Sequence, residues 1–181
     1  MKYGIIYMRG WCHIMELKKM KFIDLFAGIG GFRYALESFG CKCVFSSEWD
    51  KYCQESYNLN FGEIPYGDIT KIDEKDIPSF DILCAGFPCQ PFSISGKQKG
   101  FEDTRGTLFF DIVRIVSYHK PKIIFLENVK NLKAHNGGAT FEVISNTLDS
   151  LNYNIYYKVL NAKDFNLPQN RERITIVCIR K

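Results

Sequence analysis

The sequence predicts an α/β domain built on a mostly parallel sheet with helices on both faces. Three observations carry that prediction. The chain has 181 residues, 46% of them hydrophobic and 24% charged, a composition ordinary for one soluble globular domain. From Lys21 onward, short apolar runs alternate with stretches whose apolar residues recur at helical spacing, the pattern of βαβ units. The polar residues of chemical interest stand where the apolar runs end, and in parallel sheets ligands bind beyond the carboxyl ends of the strands.

Lys21–Ala27 (KFIDLFA) reads as a buried strand. Phe32, Ala35, Leu36 and Phe39 then repeat at i, i+3, i+4, i+7, one face of a helix that Gly40 can stop. Val44–Trp49 is the second strand, with a helix near Tyr52–Leu59. Tyr66–Ile69 (YGDI) is a third, short candidate strand, and Phe80–Gly86 follows it. Thr107–Tyr118 is helical, with Leu108, Ile112, Ile115 and Val116 on one side. Lys122–Leu126 is the next strand. Phe141, Ile144, Leu148 and Leu151 mark a helix for which Thr140 is a plausible cap. Asn154–Leu160 and Ile174–Ile179 close the series as β-rich runs. Residues 1–20 do not fit the alternation, and Met8, Met15 and Met20 are further possible starts. We treat 1–20 as an N-terminal appendage and 21–181 as one domain.

Composition excludes several classes. The net charge, 24 − 20 = +4, permits nucleic acid without announcing it. No run approaches the roughly 18 apolar residues of a membrane span, and the first 20 residues lack a signal-peptide core and cleavage site. The seven cysteines form no CxxC pair, and His13, His119 and His135 have no partner at ligand spacing, which argues against a zinc site. Several cysteines sit in apolar runs, as free thiols do in a reduced, cytoplasmic protein.

Four motifs carry chemistry. Asp24-Leu-Phe26-Ala-Gly28-Ile-Gly30-Gly31 joins the first strand to the first helix. Glycines there allow close backbone approach to a ligand, and the same residues fit a plain tight turn. Glu48 ends the second strand, where an acid can accept the hydroxyls of a ribose. Trp49 beside it can stack on an adenine or serve as a core aromatic. Asp68 is placed to accept from an adenine amino group or to cap a helix. In the second motif, Phe87-Pro88-Cys89-Gln90-Pro91, prolines stiffen a cysteine after a central strand. A thiol with the reference pKa is only about 3% thiolate at neutral pH, yet that fraction is a good nucleophile. A buried structural thiol is the alternative. The third, Glu127-Asn128-Val129, follows the apolar run KIIFL. Such surroundings should raise the pKa of Glu127 and let it carry a proton, unless it is a helix cap. The fourth is Gln169-Asn-Arg171-Glu-Arg173, whose arginines at i, i+2 can share one side of an extended segment and meet a phosphate or carbonyl oxygen. A solvated edge is the alternative and the commoner use of such a pair.

Together and in this order, the motifs resemble the cytosine-C5 DNA methyltransferases from about Phe22 to Arg180. The stretch ISGKQKGFEDTRGTLFFDIVRI is similar to that family's catalytic loop and following helix. Within the family, the sequence most resembles a bacterial restriction-modification enzyme that methylates GCGC. The resemblance implies a Rossmann-like S-adenosylmethionine-dependent methyltransferase fold. It implies a flipped-out cytosine in double-stranded DNA, with Cys89 adding to C6 and Glu127 bonding N3 and the exocyclic amine. Arg173 would polarise O2, and Arg171 would fix its loop or a phosphate. Pro88 belongs to the catalytic set as the neighbour of Cys89. S-adenosylmethionine would be held by Phe26, Gly28, Gly30, Glu48, Trp49 and Asp68. Gln90, Ser93, Ser95, Lys97 and Arg105 would meet DNA from the catalytic loop.

Members of the family continue past the paired arginines into a target-recognition region and a final segment that packs back on the catalytic domain. Neither is expected within 21–181. The resemblance therefore also allows a half-enzyme whose second chain supplies recognition, and exposed apolar surface prone to self-association. A nicotinamide-dependent oxidoreductase would use the glycine turn and Glu48 but gives no work to Cys89 or Glu127. A non-catalytic DNA-binding module would need neither. An RNA-directed enzyme would share all the catalytic motifs.

Overall fold

The computed structural model describes residues 19–88 and 108–181. Six strands form one sheet in the order β2-β1-β3-β4-β6-β5. They are β1 (Lys21–Leu25), β2 (Lys42–Ser47), β3 (Ile82–Gly86), β4 (Ile123–Val129), β5 (Tyr153–Asn161) and β6 (Glu172–Arg180). The four α-helices are α1 (Gly31–Ser38), α2 (Lys51–Phe61), α3 (Leu108–His119) and α4 (Ala139–Ser150). The pairs β1–β2, β1–β3 and β3–β4 are parallel, whereas β6 runs antiparallel to both β4 and β5. The reversal has a local cause. Parallel neighbours need a crossover of a dozen or more residues, usually helical. Between β5 and β6 there are only a 3₁₀ turn, Ala162–Phe165, and a short irregular stretch, so the chain turns back.

Alternation along the strands divides two cores. Ile23, Leu25, Leu83, Ala85, Ile124 and Leu126 face α3 and α4, whose Phe109, Ile112, Ile115, Ile144 and Leu148 are buried against them. Each buried Leu, Ile or Phe side chain contributes roughly 1.5–3 kcal/mol. The opposite face is a smaller cluster of Met20, Phe22, Cys41, Ile82 and Cys84 under Phe32 and Leu36 of α1. On that same face β6 presents Arg173, Thr175, Val177 and Ile179, all only half-buried.

Several element boundaries differ from the sequence reading. β1 ends at Leu25 because Phe26 takes φ +55°, turning the chain before Ala27. β2 ends at Ser47, which leaves Glu48 and Trp49 just beyond it. Tyr66–Ile69 is not a strand: Tyr66 makes one bridge to Ser47, and Ile69–Lys71 is a 3₁₀ turn capped by Asp68. Phe80 precedes β3 and packs on His119 with ring centroids 4.8 Å apart. β4 continues through Val129, so Glu127 lies inside a strand and caps no helix. Gly138 rather than Thr140 occupies the N-cap of α4; Thr140 is buried as the second residue of the helix, with its hydroxyl 2.7 Å from His135 Nδ1. The helix near 52–59 extends to Lys51–Phe61 because Asp50 caps it, accepting from the Cys53 N–H, and Gly62 ends it. Met20 packs into the smaller core, and residues 1–18 of the appendage lie outside the described residues.

Candidate active site

The strand order reverses between β1 and β3, since the chain leaves β1 for β2 on one side and returns to β3 on the other. Such a switch point opens a crevice at the carboxyl ends of the strands. The turn after β1 lies there. Gly28 and Gly30 have φ of +55° and +91°, conformations that cost a side chain roughly 1–2 kcal/mol. A Cβ on Gly30 would also sit 2.1 Å from the Phe61 ring, so this position is closed to any larger residue.

Glu48 bolts the turn to the exit of β2. Its Oε2 accepts the Gly28 N–H at 2.7 Å and its Oε1 accepts the Asp50 N–H at 2.9 Å. The Ala27 N–H reaches the Ser47 carbonyl, and the Glu48 N–H reaches Tyr66. Glu48 is buried, and each carboxylate oxygen keeps lone-pair capacity for a further donor. The carboxylate is thus a structural tie as well as a candidate ligand group.

Phe26, Glu48, Trp49, Asp68 and Pro88 line one cavity of about 450 Å³, together with Gly86. That volume lies in the range of small-molecule sites. Trp49 is 78% exposed, which removes the core-aromatic reading and leaves its indole face free at the cavity. Asp68 caps a 3₁₀ turn and also lines the cavity. Its Oδ1 accepts from the Thr70 N–H at 3.0 Å and the Thr70 hydroxyl at 2.8 Å while it lines the cavity. Those bonds hold its carboxyl below the usual range.

Glu127 stands beside this cavity. It is in register with Gly86, and a Cβ on Gly86 would lie 3.5 Å from Glu127 Oε2. The apolar surroundings expected of Glu127 are not found. Its side chain is 31% exposed and Arg173 Nε lies 3.0 Å from Oε1, because β6 runs back along β4 and brings Arg173 to the same face. Arg171 does not join them: it is exposed, one residue before β6, with its backbone held by Asn161 and Ala162. Cys89, Gln90, Ser93, Ser95, Lys97 and Arg105 lie outside the described residues.

The described cysteines narrow the choice of nucleophile. Among the described residues, Cys41, Cys43, Cys53, Cys84 and Cys178 form no disulfide, and burial pushes each of their thiols up, Cys43 to about 11 and Cys178 to about 12. None is poised as a thiolate.

Three residues of the site region have no role in the sequence reading. Asn128, buried beside Glu127, donates from Nδ2 to the Phe87 carbonyl at 2.8 Å. Asp24 is fully buried at the end of β1 with no hydrogen-bond partner for either carboxylate oxygen. Arg33 lies under the turn, bonded to Glu37 and Glu63, each at 2.8 Å, and stacked on the Phe61 ring at 4.5 Å. Periodicity marks the Arg33 position as helical but cannot show that a guanidinium is buried there. An Asn next to a candidate acid at a strand end is the one signal that sequence offered.

A Rossmann-like sheet with a ligand-sized cavity at its switch point is the framework of the S-adenosylmethionine-dependent methyltransferases. In agreement, the structure of the S. pombe Dnmt2 methyltransferase is similar with a TM-score of 0.71 and 25% identity, over 90% of this chain and 51% of that one. The family model for C-5 cytosine-specific DNA methylase matches residues 20–181, and the chain belongs to that family. It is 64% identical over 165 residues to the type II methyltransferase M.HhaI of Haemophilus parahaemolyticus, across 91% of this chain and 50% of the relative. To M.HaeII of Haemophilus aegyptius it is 63% identical over 161 residues, 89% of this chain and 51% of the relative. The chain therefore spans about half the length of these curated relatives.

Proposed function

We propose that this chain is the cofactor-binding and catalytic part of a DNA (cytosine-5-)-methyltransferase of a restriction-modification system. The observation that carries the proposal is the adjacency at Gly86. This one residue lines the cavity of Phe26, Glu48, Trp49 and Asp68 and is the strand partner of Glu127, which pairs with Arg173.

The cavity fits S-adenosylmethionine by its donor set. Glu48 offers free lone pairs to ribose hydroxyls, the exposed Trp49 indole offers a face to adenine, and Asp68 can accept from the adenine amine. Gly28 and Gly30 keep the turn open to close approach. When bound, the cofactor supplies an electrophilic methyl group. The chain's residues must make cytosine C5 nucleophilic enough to take it. Cys89 Sγ bonds to C6, and the C5–C6 π pair becomes available at C5 as an enamine-like centre. Glu127 bonds N3 and the exocyclic amine, and Arg173 bonds O2, so that charge developing on the ring is met by fixed groups. Proton assistance of this kind contributes about 10²–10⁴-fold. After methylation, a base removes the C5 proton, and the C5–H pair re-forms the double bond as the thiolate leaves C6.

A stacked base is out of reach, so the cytosine is flipped out at a cost of a few kcal/mol. Gln90, Ser93, Ser95, Lys97 and Arg105 are assigned to the DNA from the segment after Cys89, and Arg171 to a phosphate. Sequence reading of the duplex is assigned to further polypeptide, from the same gene product or a second chain. The half-buried Val177 and Ile179 face would suit its packing or self-association. The five described cysteines, none of them in a disulfide, suit a reduced cytoplasmic setting, and among the described residues no helix is long and apolar enough to cross a membrane.

The test is Cys89→Ser. Transfer of labelled methyl to DNA should be abolished while calorimetry still detects S-adenosylmethionine binding. Undiminished transfer would remove Cys89 from its role, and transfer to tRNA in preference to DNA would change the substrate class.

A further inference from the structure

The parallel ladder between β3 and β4 ends at the pair Gly86 and Glu127. One residue further along, Phe87 and Asn128 are past the last backbone pair, yet both are buried. A carbonyl left unbonded there would be costly. The Asn128 side chain takes over from the ladder: Nδ2 donates to the Phe87 carbonyl at 2.8 Å, and Oδ1 accepts the Val129 N–H at 2.8 Å. These two partners fix one orientation of the amide, since the flipped one would set carbonyl against carbonyl and N–H against N–H.

We propose that Asn128 is a positioning residue, whose amide clamp on Phe87 sets the Gly86–Pro88 wall of the cofactor cavity relative to the strand bearing Glu127. The inference rests on the S-adenosylmethionine reading above. Asn128 does not line the cavity. By strand alternation it lies on the α3 face of the sheet while Glu127 lies on the other. It therefore acts from beneath, on a backbone segment whose two ends, Gly86 and Pro88, both line the cavity. The same segment is held a second time by the Phe87 ring against Phe109 of α3, centroids 5.8 Å apart. Only an amide of this length serves. Leucine or valine would fill the space but orphan the carbonyl, aspartate would face it with a charge, and serine would fall short of it.

Calorimetry of S-adenosylmethionine binding to the chain tests this. Asn128→Ala and the isosteric Asn128→Asp should each bind at least tenfold more weakly than the parent. Thr147→Val, which removes a buried hydroxyl bonded to Val143 within α4, should lose thermal stability without losing affinity. Should Asn128→Ala fail to fold, Asn128→Ser carries the same comparison. A spectroscopic signature separates positioning from mere support. The Asn128 side-chain amide resonances, assigned by their loss in the variants, should shift in proportion to cofactor saturation. Those of Asn161, bonded to Asn170 at 2.7 Å, should not. Parent-like affinity in the Asn128 variants, or a loss matched by Thr147→Val, overturns the inference while the function stands. A parent chain that binds no S-adenosylmethionine at all overturns both.

Discussion

Gly30 gives the most quantitative prediction for this fold. Its φ of +91° would strain any side chain, which costs roughly 1–2 kcal/mol. Its Cβ would also lie 2.1 Å from Phe61 Cε2 and 2.8 Å from Cζ. The Phe61 ring has limited room to yield, since it packs on Tyr57 with centroids 4.7 Å apart and carries the Arg33 guanidinium at 4.5 Å. Forcing such a ring aside costs roughly 1–3 kcal/mol. Gly30→Ala should therefore destabilise by about 2–5 kcal/mol, or roughly 4–20 °C in Tm for a chain of this size. Gly28→Ala is the internal control. Gly28 has φ +55° but no heavy atom within 4 Å of a built Cβ, so only the strain of about 1–2 kcal/mol applies. Thermal unfolding followed by circular dichroism compares the two. Adding Phe61→Ala in a double-mutant cycle should recover the steric share of the Gly30 loss. Equal losses for Gly28→Ala and Gly30→Ala, or no coupling to Phe61, would refute the reasoning.

Asp24→Asn should stabilise the protein at neutral pH, and the gain should shrink on acidification. Burial outweighs the pull of the nearby Arg33 charge and raises the folded-state pKa well above 3.8. Relative to the unfolded chain, the acid's contribution is intact below the unfolded value and is lost as pH rises towards the folded one; a gain independent of pH, measured by urea unfolding, would contradict this. Asp81 behaves oppositely. Lys122 at 2.8 Å and the Lys21 N–H at 3.0 Å hold its carboxyl low. Its stabilisation is thus present above the unfolded pKa and lost as pH falls through the folded value, so Asp81→Asn should flatten the acid limb of the stability curve. Glu48→Gln leaves one oxygen for two backbone N–H groups now at 2.7 and 2.9 Å. It should cost about 1–3 kcal/mol and weaken cofactor binding by at least tenfold, both measurable on one preparation.

The sheet and its helices were legible because their cues are local. KFIDL and FDILCAG are apolar runs that only a buried strand satisfies, and Phe32 to Phe39 keep a helical period beside them. The direction of β6 was not legible, because it depends on the absence of a crossover rather than on the strand's own residues. Asp68 and Thr140 show the limit of single-residue reasoning. One does cap a turn and also lines the cavity, and the other yields its cap position to Gly138, whose φ of +95° marks the start of α4. Glu48, just past β2, lines the cavity, and Glu127, near the end of β4, stands beside it. The exposure of Glu127 to Arg173 did not follow from the apolar run before it, since the arginine arrives from β6, far along the chain. Asn128 escaped notice because its partner is a backbone carbonyl, which carries no sequence signal.

The central claim is that this chain carries the chemistry of cytosine C5 methylation on its own cavity and Cys89. A native mass spectrum of the purified chain with S-adenosylmethionine and a GCGC duplex containing 5-fluorocytosine tests it most directly. Fluorine cannot depart as the C5 proton does, so turnover stops at the covalent stage. One species with the summed mass of chain, duplex and one methyl group is expected, and it should be lost in Cys89→Ser. Bound cofactor with no covalent adduct would contradict the claim and leave the chain a cofactor-binding half that needs its recognition polypeptide to act.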